Sequence, residues 1–127
     1  MFEKLNITRM AQSLSAYSGA RLGLIARNVA QADTPGYKAT DLPSFAESYQ
    51  QTDPHGMRAT RSGHLTTRSQ MMDPIEERSG GEISPNGNTV SLAYELVKSV
   101  DVRQQHSMAL AVYRNTSEIV RASLGRR

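Results

Sequence analysis

Residues 28–39 read NVAQADTPGYKA and decide how the chain folds, because they end one helix and turn the chain. Pro35 fixes its own φ and lacks the N–H that a helix interior needs. Gly36 readily takes the positive φ of a type II turn. The short polar residues just before Pro35 can hydrogen-bond the backbone groups that are freed at the helix end. The sequence therefore predicts a sharp turn, with the flat ring of Tyr37 packed beside it.

A long amphipathic helix is predicted before this turn, over residues 7–32. Apolar and small residues recur there every three or four positions, the spacing of one helix face. This stripe consists of Ile7, Ala11, Leu14, Ser18, Leu22, Ile25, Val29 and Ala32. Gly19 and Gly23 each cost about 1 kcal/mol relative to Ala inside a helix. They are either tolerated surface glycines or positions at which another backbone approaches closely.

A second long helix is predicted over residues 91–124. The sequence Asn86-Gly87-Asn88 indicates a turn, since Asn and Gly tolerate positive φ, and Ser91 is a suitable N-cap. Its apolar face consists of Leu92, Leu96, Val100, Val102, Ala109, Val112, Tyr113, Thr116, Ile119, Val120 and Leu124. The two predicted helices differ by roughly eight residues, so an antiparallel pair leaves about two turns, or ~11 Å, of the second helix unmatched.

The region between the helices, residues 33–90, is polar and interrupted. It contains all five prolines, which predicts an extended, loop-rich segment. Residues 1–32 and 92–127 each carry a net charge of +3, and residues 33–91 carry −3. The pattern predicts a mainly α fold for one unit, residues 1–127: two long terminal helices form a coiled-coil hairpin, joined by an extended centre containing Pro and Gly.

The supply of large apolar side chains is small for 127 residues. Leu, Ile, Val and Phe together number 24, with only two Phe and no Trp. Burial on this scale does not offset a backbone entropy of about 1–2 kcal/mol per residue. The isolated monomer is therefore expected to be largely disordered and to complete its core with neighbouring chains.

The sequence predicts no catalytic residue, metal ion or cofactor, and so no enzyme. There is no cysteine, which excludes a disulfide framework, a thiolate metal site and a Cys nucleophile. His55, His64 and His106 have no carboxylate at metal-ligand spacing, and no Gly-rich phosphate loop is present. The first residues lack the basic and apolar regions of a cleaved secretory signal, and no apolar run is long enough to insert into a membrane.

Two binding functions stay open at this stage. A small basic nucleic-acid-binding protein would fit the pI near 9.5, but its basic residues should cluster on one face. Here they are spread along both helices, so nucleic acid is not the expected partner. A helical adaptor that binds partner helices without polymerising is the second alternative.

Two stretches resemble the flagellar axial proteins, which are the rod, hook and hook-associated proteins. The family form of the first is NIANA(D/N)TPGYKA, and residues 28–39 match ten of its twelve positions, departing at Val29 and Gln31. Residues 86–96, NGNTVSLAYEL, resemble a family stretch close to DGNNVDL(D/E)xEM. With its short length, the chain is most similar to the proximal rod proteins, of which a sibling type is the nearest alternative. The matching signature residues are Asn28, Ala30, Ala32, Asp33, Thr34, Pro35, Gly36, Tyr37 and Lys38.

The resemblance implies a structural subunit of the proximal rod in the bacterial flagellar basal body. That rod is the periplasmic drive shaft between the motor ring and the hook, and the terminal helices of many copies pack together in it. The implied partners are copies of the chain itself, other rod proteins, the motor-ring/rod junction protein and the flagellar type III export apparatus. Export from the cytoplasm would then need no cleaved signal peptide. The expected inter-subunit helix faces contain Leu14, Leu22, Ile25, Val29, Leu92, Leu96, Val100, Tyr113, Ile119, Val120 and Leu124.

Overall fold

The computed structural model describes residues 2–51, 61, 75–76 and 83–125. Within these residues, the elements in chain order are the helix α1 (Phe2–Ala30), the strand β1 (Thr40–Asp41), the helix α2 (Phe45–Gln51), the strand β2 (Ile75–Glu76) and the helix α3 (Leu92–Ser123). The mainly helical fold, with one long helix at each end, is confirmed. His55 and His64 lie outside the described residues.

The first helix is displaced toward the N-terminus relative to the prediction. It begins at Phe2 rather than at residue 7, because the preceding residues include no Pro or Gly that would stop it. It ends at Ala30 rather than at residue 32, since its last turn tightens. The N–H of Gln31 donates to the carbonyls of both Arg27 and Asn28 (both 3.1 Å), and that of Ala32 donates to Val29 (3.2 Å). Such tightening toward a 3₁₀ turn is common at helix ends.

The second helix matches its predicted bounds to within one residue at each end. The two helices have 29 and 32 residues, so they differ by three residues rather than eight. The predicted two-turn overhang of α3 is therefore wrong: three residues correspond to only about 4.5 Å of helix. The error came from the early start of α1, which the stripe of apolar residues did not reveal.

The two long helices pack as an antiparallel hairpin. Near the turn, the Asn28 amide nitrogen lies 3.2 Å from a Glu95 carboxylate oxygen. Farther along, Nδ1 of His106 lies 3.3 Å from the Ser15 carbonyl oxygen. Since the contact moves backward along α1 as it moves forward along α3, the helices run in opposite directions.

The face of α3 that packs on α1 is not its most apolar face. Its buried residues are Glu95, Lys98, Val102, Ala109 and Thr116. Leu92, Leu96 and Val100, which begin the predicted apolar face, are instead 50–63% exposed. The predicted stripe therefore mixed two faces, and the larger apolar side chains at the start of α3 point away from the hairpin.

The centre contains short elements that the sequence pattern did not reveal. β1 and β2 pair antiparallel, with Thr40 opposite Glu76. The seven residues of α2 follow Ser44, which caps the helix: its hydroxyl accepts from the Glu47 N–H (3.4 Å) and donates to the Glu47 carboxylate (2.7 Å). The extended description of the centre is therefore incomplete between residues 40 and 51.

A small core fixes α2 against α1. Tyr17, Leu24 and Leu42 are buried together, and Phe45 and Tyr49 pack on them. The rings of Tyr17 and Phe45 meet edge to face at 5.5 Å. Burial raises the pKa of Tyr17, so its hydroxyl stays protonated and donates to the Pro43 carbonyl at 2.6 Å. Tyr17 thus ties the segment after the turn to the first helix.

We expect two substitutions of Tyr17 to distinguish the stability contributed by its ring from that contributed by its hydroxyl. Tyr17→Phe removes one hydrogen bond, at about 0.5–1.5 kcal/mol. Tyr17→Ala also empties the site of a buried ring, at about 3–5 kcal/mol. The thermal midpoint of the helical circular dichroism signal should fall slightly for the first variant and strongly for the second. Equal midpoints for Tyr17→Ala and the natural chain would contradict this core.

Candidate functional site

The turn after α1 rests on a second turn that lies just before α3. Gly36 and Gly87 both have positive φ, 72° and 79°. The Gly36 N–H donates to the Asn86 carbonyl at 2.9 Å, and the Thr89 N–H donates to the Tyr37 carbonyl at 3.1 Å. A Cβ on Gly87 would lie 3.6 Å from the Gly36 Cα, so the two glycines stand back to back. The two stretches singled out in the sequence therefore form one site.

Asn88 closes the C-terminal end of α1 from across this site. Its side chain is almost completely buried, with 1% exposure. Its amide nitrogen donates to the carbonyls of Gln31 (2.9 Å), Ala32 (2.7 Å) and Thr34 (2.9 Å). Its amide oxygen accepts from the Val90 N–H at 2.7 Å. These carbonyls lie in the turn just beyond Ala30, the last residue of α1. One side chain 54–57 residues away therefore holds the whole turn.

Asn28 joins α1, the segment after the turn and α3. Its amide nitrogen donates to the Thr40 carbonyl (2.9 Å) and to the Glu95 carboxylate (3.2 Å). Its amide oxygen accepts from the Tyr37 hydroxyl and from the Thr40 N–H, both at 3.2 Å. An asparagine side chain has two N–H donors and two acceptor lone pairs. All four are used, so full burial of Asn28 leaves no polar group unpaired.

Four charged side chains continue from Asn28 across the hairpin. Asp41 receives two hydrogen bonds of 2.7 Å from the Arg21 guanidinium. The Lys98 ammonium lies 3.4 Å from Asp41 and 3.1 Å from Glu95. We call this set the charge row, which in spatial order consists of Arg21, Asp41, Lys98 and Glu95. Its signs alternate and sum to zero, which is how buried charges are tolerated.

The carboxyl group of Asp41 has a lowered pKa. Burial by itself would raise this pKa. The hydrogen bond from Arg21 opposes that effect, together with the Leu42 N–H, which donates at 2.8 Å, and with the positive charges of Arg21 and Lys98. These interactions with the ionised form prevail. Asp41 is therefore a carboxylate at neutral pH and holds the segment after the turn against both helices.

The signature residues divide into a buried part and an exposed part. Asn28 is buried and Tyr37 is half-buried, whereas Thr34, Pro35 and Gly36 are exposed. Ala30, Asp33 and Lys38 are also exposed, and Ala32 is half-buried. Gln31, which departs from the family form, accepts a 2.6 Å hydrogen bond from the Thr34 hydroxyl. The buried part closes the hairpin, and the exposed part forms a surface at its tip.

The expected inter-subunit residues also divide by exposure. Those on α3 are the more exposed: Leu92, Leu96, Val100, Tyr113, Ile119 and Leu124 are exposed, and Val120 is half-buried. On α1, Leu14, Leu22 and Val29 are half-buried. Ile25 is only 4% exposed, so the chain's own residues already cover it.

Sequence reasoning missed the charge row. The sequence patterns assign no role to Arg21, Asp41, Glu95 or Lys98. One signal was present: Glu95 and Lys98 are three residues apart, on the side of α3 opposite Leu96 and Val100, so one of these two faces had to be buried. The pattern alone favoured the apolar one.

The described residues contain neither a metal cluster nor a membrane-spanning helix. Among them, no group of three acidic or histidine side chains could hold a metal ion, and neither long helix combines the length and apolarity needed to cross a membrane. His106 lies at the seam between the long helices, beside Ser15. The site is thus a set of interlocking polar contacts and outward-facing apolar side chains.

Comparison with known proteins places these features in a class, the flagellar basal body rod proteins. The chain is 31% identical over 122 residues to the flagellar basal body rod protein FlgB of Escherichia coli, covering 87% of this chain and 88% of that protein. It is 26% identical over 113 residues to the FlgB of Agrobacterium fabrum (84% and 83% covered). It is 28% identical over 123 residues to that of Salmonella typhimurium (88% of each). No family model matches the chain.

The chain belongs to the FlgB family of flagellar basal body rod proteins. It is accordingly a structural component of the flagellar basal body and not an enzyme. The resemblance drawn from residues 28–39 and 86–96 is confirmed.

We expect Asn88→Ala to destabilise the hairpin more than any exposed asparagine does. The carbonyls of Gln31 and Thr34 keep the hydrogen bonds from the N–H groups of Thr34 and Tyr37. The Ala32 carbonyl loses the donor that lies 2.7 Å from it, at about 1–3 kcal/mol. Asn115→Ala, at an exposed position of α3, is the matched control. The thermal midpoint of the helical signal should fall by many degrees for Asn88→Ala and little for the control. Equal midpoints would contradict the capping role of Asn88.

We also expect the charge row to make the hairpin acid-sensitive. The pKa of Asp41 is lower in the folded chain than its ordinary value of 3.8. Its carboxylate therefore stabilises the fold above that pH, and this stabilisation is lost as the pH falls through the folded pKa. The thermal midpoint of the helical signal should therefore decrease when the pH is lowered below about 4. Asp41→Asn should reduce this pH dependence and should also lower the thermal midpoint at neutral pH. The exposed Asp33→Asn is the control, and an unchanged acid response in Asp41→Asn would count against the row.

Proposed function

We propose that the chain is a subunit of the proximal rod, the shaft that links the motor ring to the hook. In this proposal the terminal helices of many copies pack side by side in a helical array. Its neighbours are copies of itself, other rod proteins and the protein at the junction of motor ring and rod. The subunit reaches the periplasm through the flagellar type III export apparatus.

One observation carries the proposal: α3 has its larger apolar side chains on the outside. Leu96, Val97 and Val100 are 54%, 60% and 63% exposed, and Ile119 and Leu124 are 52% and 71% exposed. Burying such side chains is favourable by about 25 cal/mol of free energy per Å² of apolar surface removed from water. A contiguous exposed apolar surface marks an interaction site. For a member of a family of rod proteins, neighbouring rod subunits are the partners that we propose for this surface.

The interlocked turn supports a mechanical role. A shaft transmits torque only if its subunits resist bending and sliding of one helix past the other. Asn28, Asn88 and the charge row cross-link α1, α3 and the segment after the turn by hydrogen bonds between buried groups. Sliding α3 by one residue would leave these groups unpaired at once, so the hairpin is stiff where its two ends join.

The thin core supports folding coupled to assembly. Eight hydrophobic residues are buried among the described residues, and three of them are alanines. We infer that the free chain is less helical in dilute solution than in the rod, because neighbours complete its burial. A weakly stable chain also suits passage through an export channel in an extended state.

Leu96→Asp is expected to separate folding from assembly. Because Leu96 is 54% exposed, a carboxylate there is solvated in the free chain, and the circular dichroism spectrum should not change. In a packed array the same charge loses water, which costs several kcal/mol. Cells with Leu96→Asp should therefore lose motility, and their basal bodies should lack the chain.

Gln104→Asp, at an exposed polar position on the same helix, is the control and should leave motility unchanged. Normal motility in Leu96→Asp would overturn the proposed packing. A chain that acts as an adaptor without polymerising would be absent from purified rods in the natural strain as well.

A further inference from the structure

In the first turns of α3, charged residues face the hairpin and large apolar residues face outward. Their charged residues, Glu95 and Lys98, face α1 and are 1% and 8% exposed. Their large apolar residues face outward along about 12 Å of helix. We call this surface the α3 ridge; it consists of Leu92, Leu96, Val97 and Val100. The ridge has no cover within the described part of the chain, since each of these side chains is at least half exposed.

The outer face of α1 carries small side chains, in contrast to the large ones of the α3 ridge. In the second half of α1, every exposed residue except Arg27 is Gly or Ala. We call this surface the α1 groove; it consists of Ala16, Gly19, Gly23, Ala26 and Ala30. A Cβ built on Gly19 or Gly23 meets no described atom within 4 Å beyond the neighbouring backbone of α1 itself. A partner side chain can therefore reach the backbone of α1, over about 21 Å of helix.

We propose that the α3 ridge of one copy docks in the α1 groove of a second copy, a pairing that rests on the proposed function. The shapes are complementary, because large aliphatic side chains fill the space that small residues leave open. The groove is longer than the ridge, so the full ridge fits. The borders also match in charge: exposed Asp101 follows Val97 by one helical turn, and exposed Arg27 follows Gly23 by one turn.

A second copy is the occupant that the geometry favours. Each chain carries one ridge and one groove on opposite sides of its hairpin, so the contact joins unlike surfaces and extends from copy to copy without closing. A ridge that extends for about 12 Å along one helix buries much less surface than the ~800 Å² per partner that a stable pair needs. The contact therefore does not hold two free copies together, and it is stable only when the array repeats it beside other contacts.

Cysteine cross-linking inside the rod tests the pairing, since the natural chain has no cysteine. Two differently tagged copies are produced in one flagellated strain, one with Gly23→Cys and one with Val97→Cys, and basal bodies are treated with a short bismaleimide. The expected product carries both tags. Asn6→Cys, exposed but off the groove, replaces Gly23→Cys in the control and should yield at least tenfold less product.

Three results would overturn the pairing while leaving the proposed function intact: a product of two Val97→Cys copies only, a product of Val97→Cys with another rod protein, or no product from basal bodies that contain both tags. Absence of the tagged chain from basal bodies that have complete rods would instead overturn the proposed function.

Gly23→Leu gives a second, independent readout. In the free chain the new side chain points into open space and replaces a helix glycine, so the thermal midpoint should not fall. In the array it fills the groove, and the amount of chain in basal bodies should fall at least tenfold. Asn6→Leu is the matched control and should be incorporated normally. Normal incorporation of Gly23→Leu would overturn the pairing.

Discussion

The structure depends on the need to pair every polar group that is buried where the two helices meet. Asn28 is fully buried and makes four hydrogen bonds, and Asn88 donates to three carbonyls of the turn after α1. An unpaired buried amide or carbonyl costs about 1–3 kcal/mol. All of these hydrogen bonds can form together in only one arrangement of the helices. They therefore fix the register of α1 against α3 and the path of the turn that follows α1.

This polar pairing determines which face of α3 is turned inward. Glu95 must reach Asn28, and Lys98 must reach both Glu95 and Asp41. A helix has one inward face, and once charged residues occupy it, Leu96 and Val100 are on the outside. A hydrophobic seam would have made a more stable single chain. The observed arrangement leaves the large apolar side chains of α3 exposed.

The helices and the turn could be predicted from the sequence, because apolar periodicity and the pair Pro35-Gly36 are local signals. The resemblance of residues 28–39 and 86–96 to rod proteins also held. The orientation of α3 could not be predicted, since it depends on partners that are far apart in the chain, such as Asn28 and Glu95. The short helix α2 was missed although the helix-start pattern from Ser44 to Glu47 is present in the sequence. The start of α1 at Phe2 was missed because the apolar stripe gives no sharp N-terminal boundary.

The sequence separation of the locking contacts has a consequence for the order of folding. Asn28 and Glu95 are 67 residues apart, and Asn88 bonds residues 54–57 positions before it. Loops of this length must close before any of these bonds forms, and such closure slows folding. None of these bonds can form before Asn88 is available, and the bond between Asn28 and Glu95 needs a still longer part of the chain. The contacts that lock the hairpin are therefore the last ones that the topology allows to form.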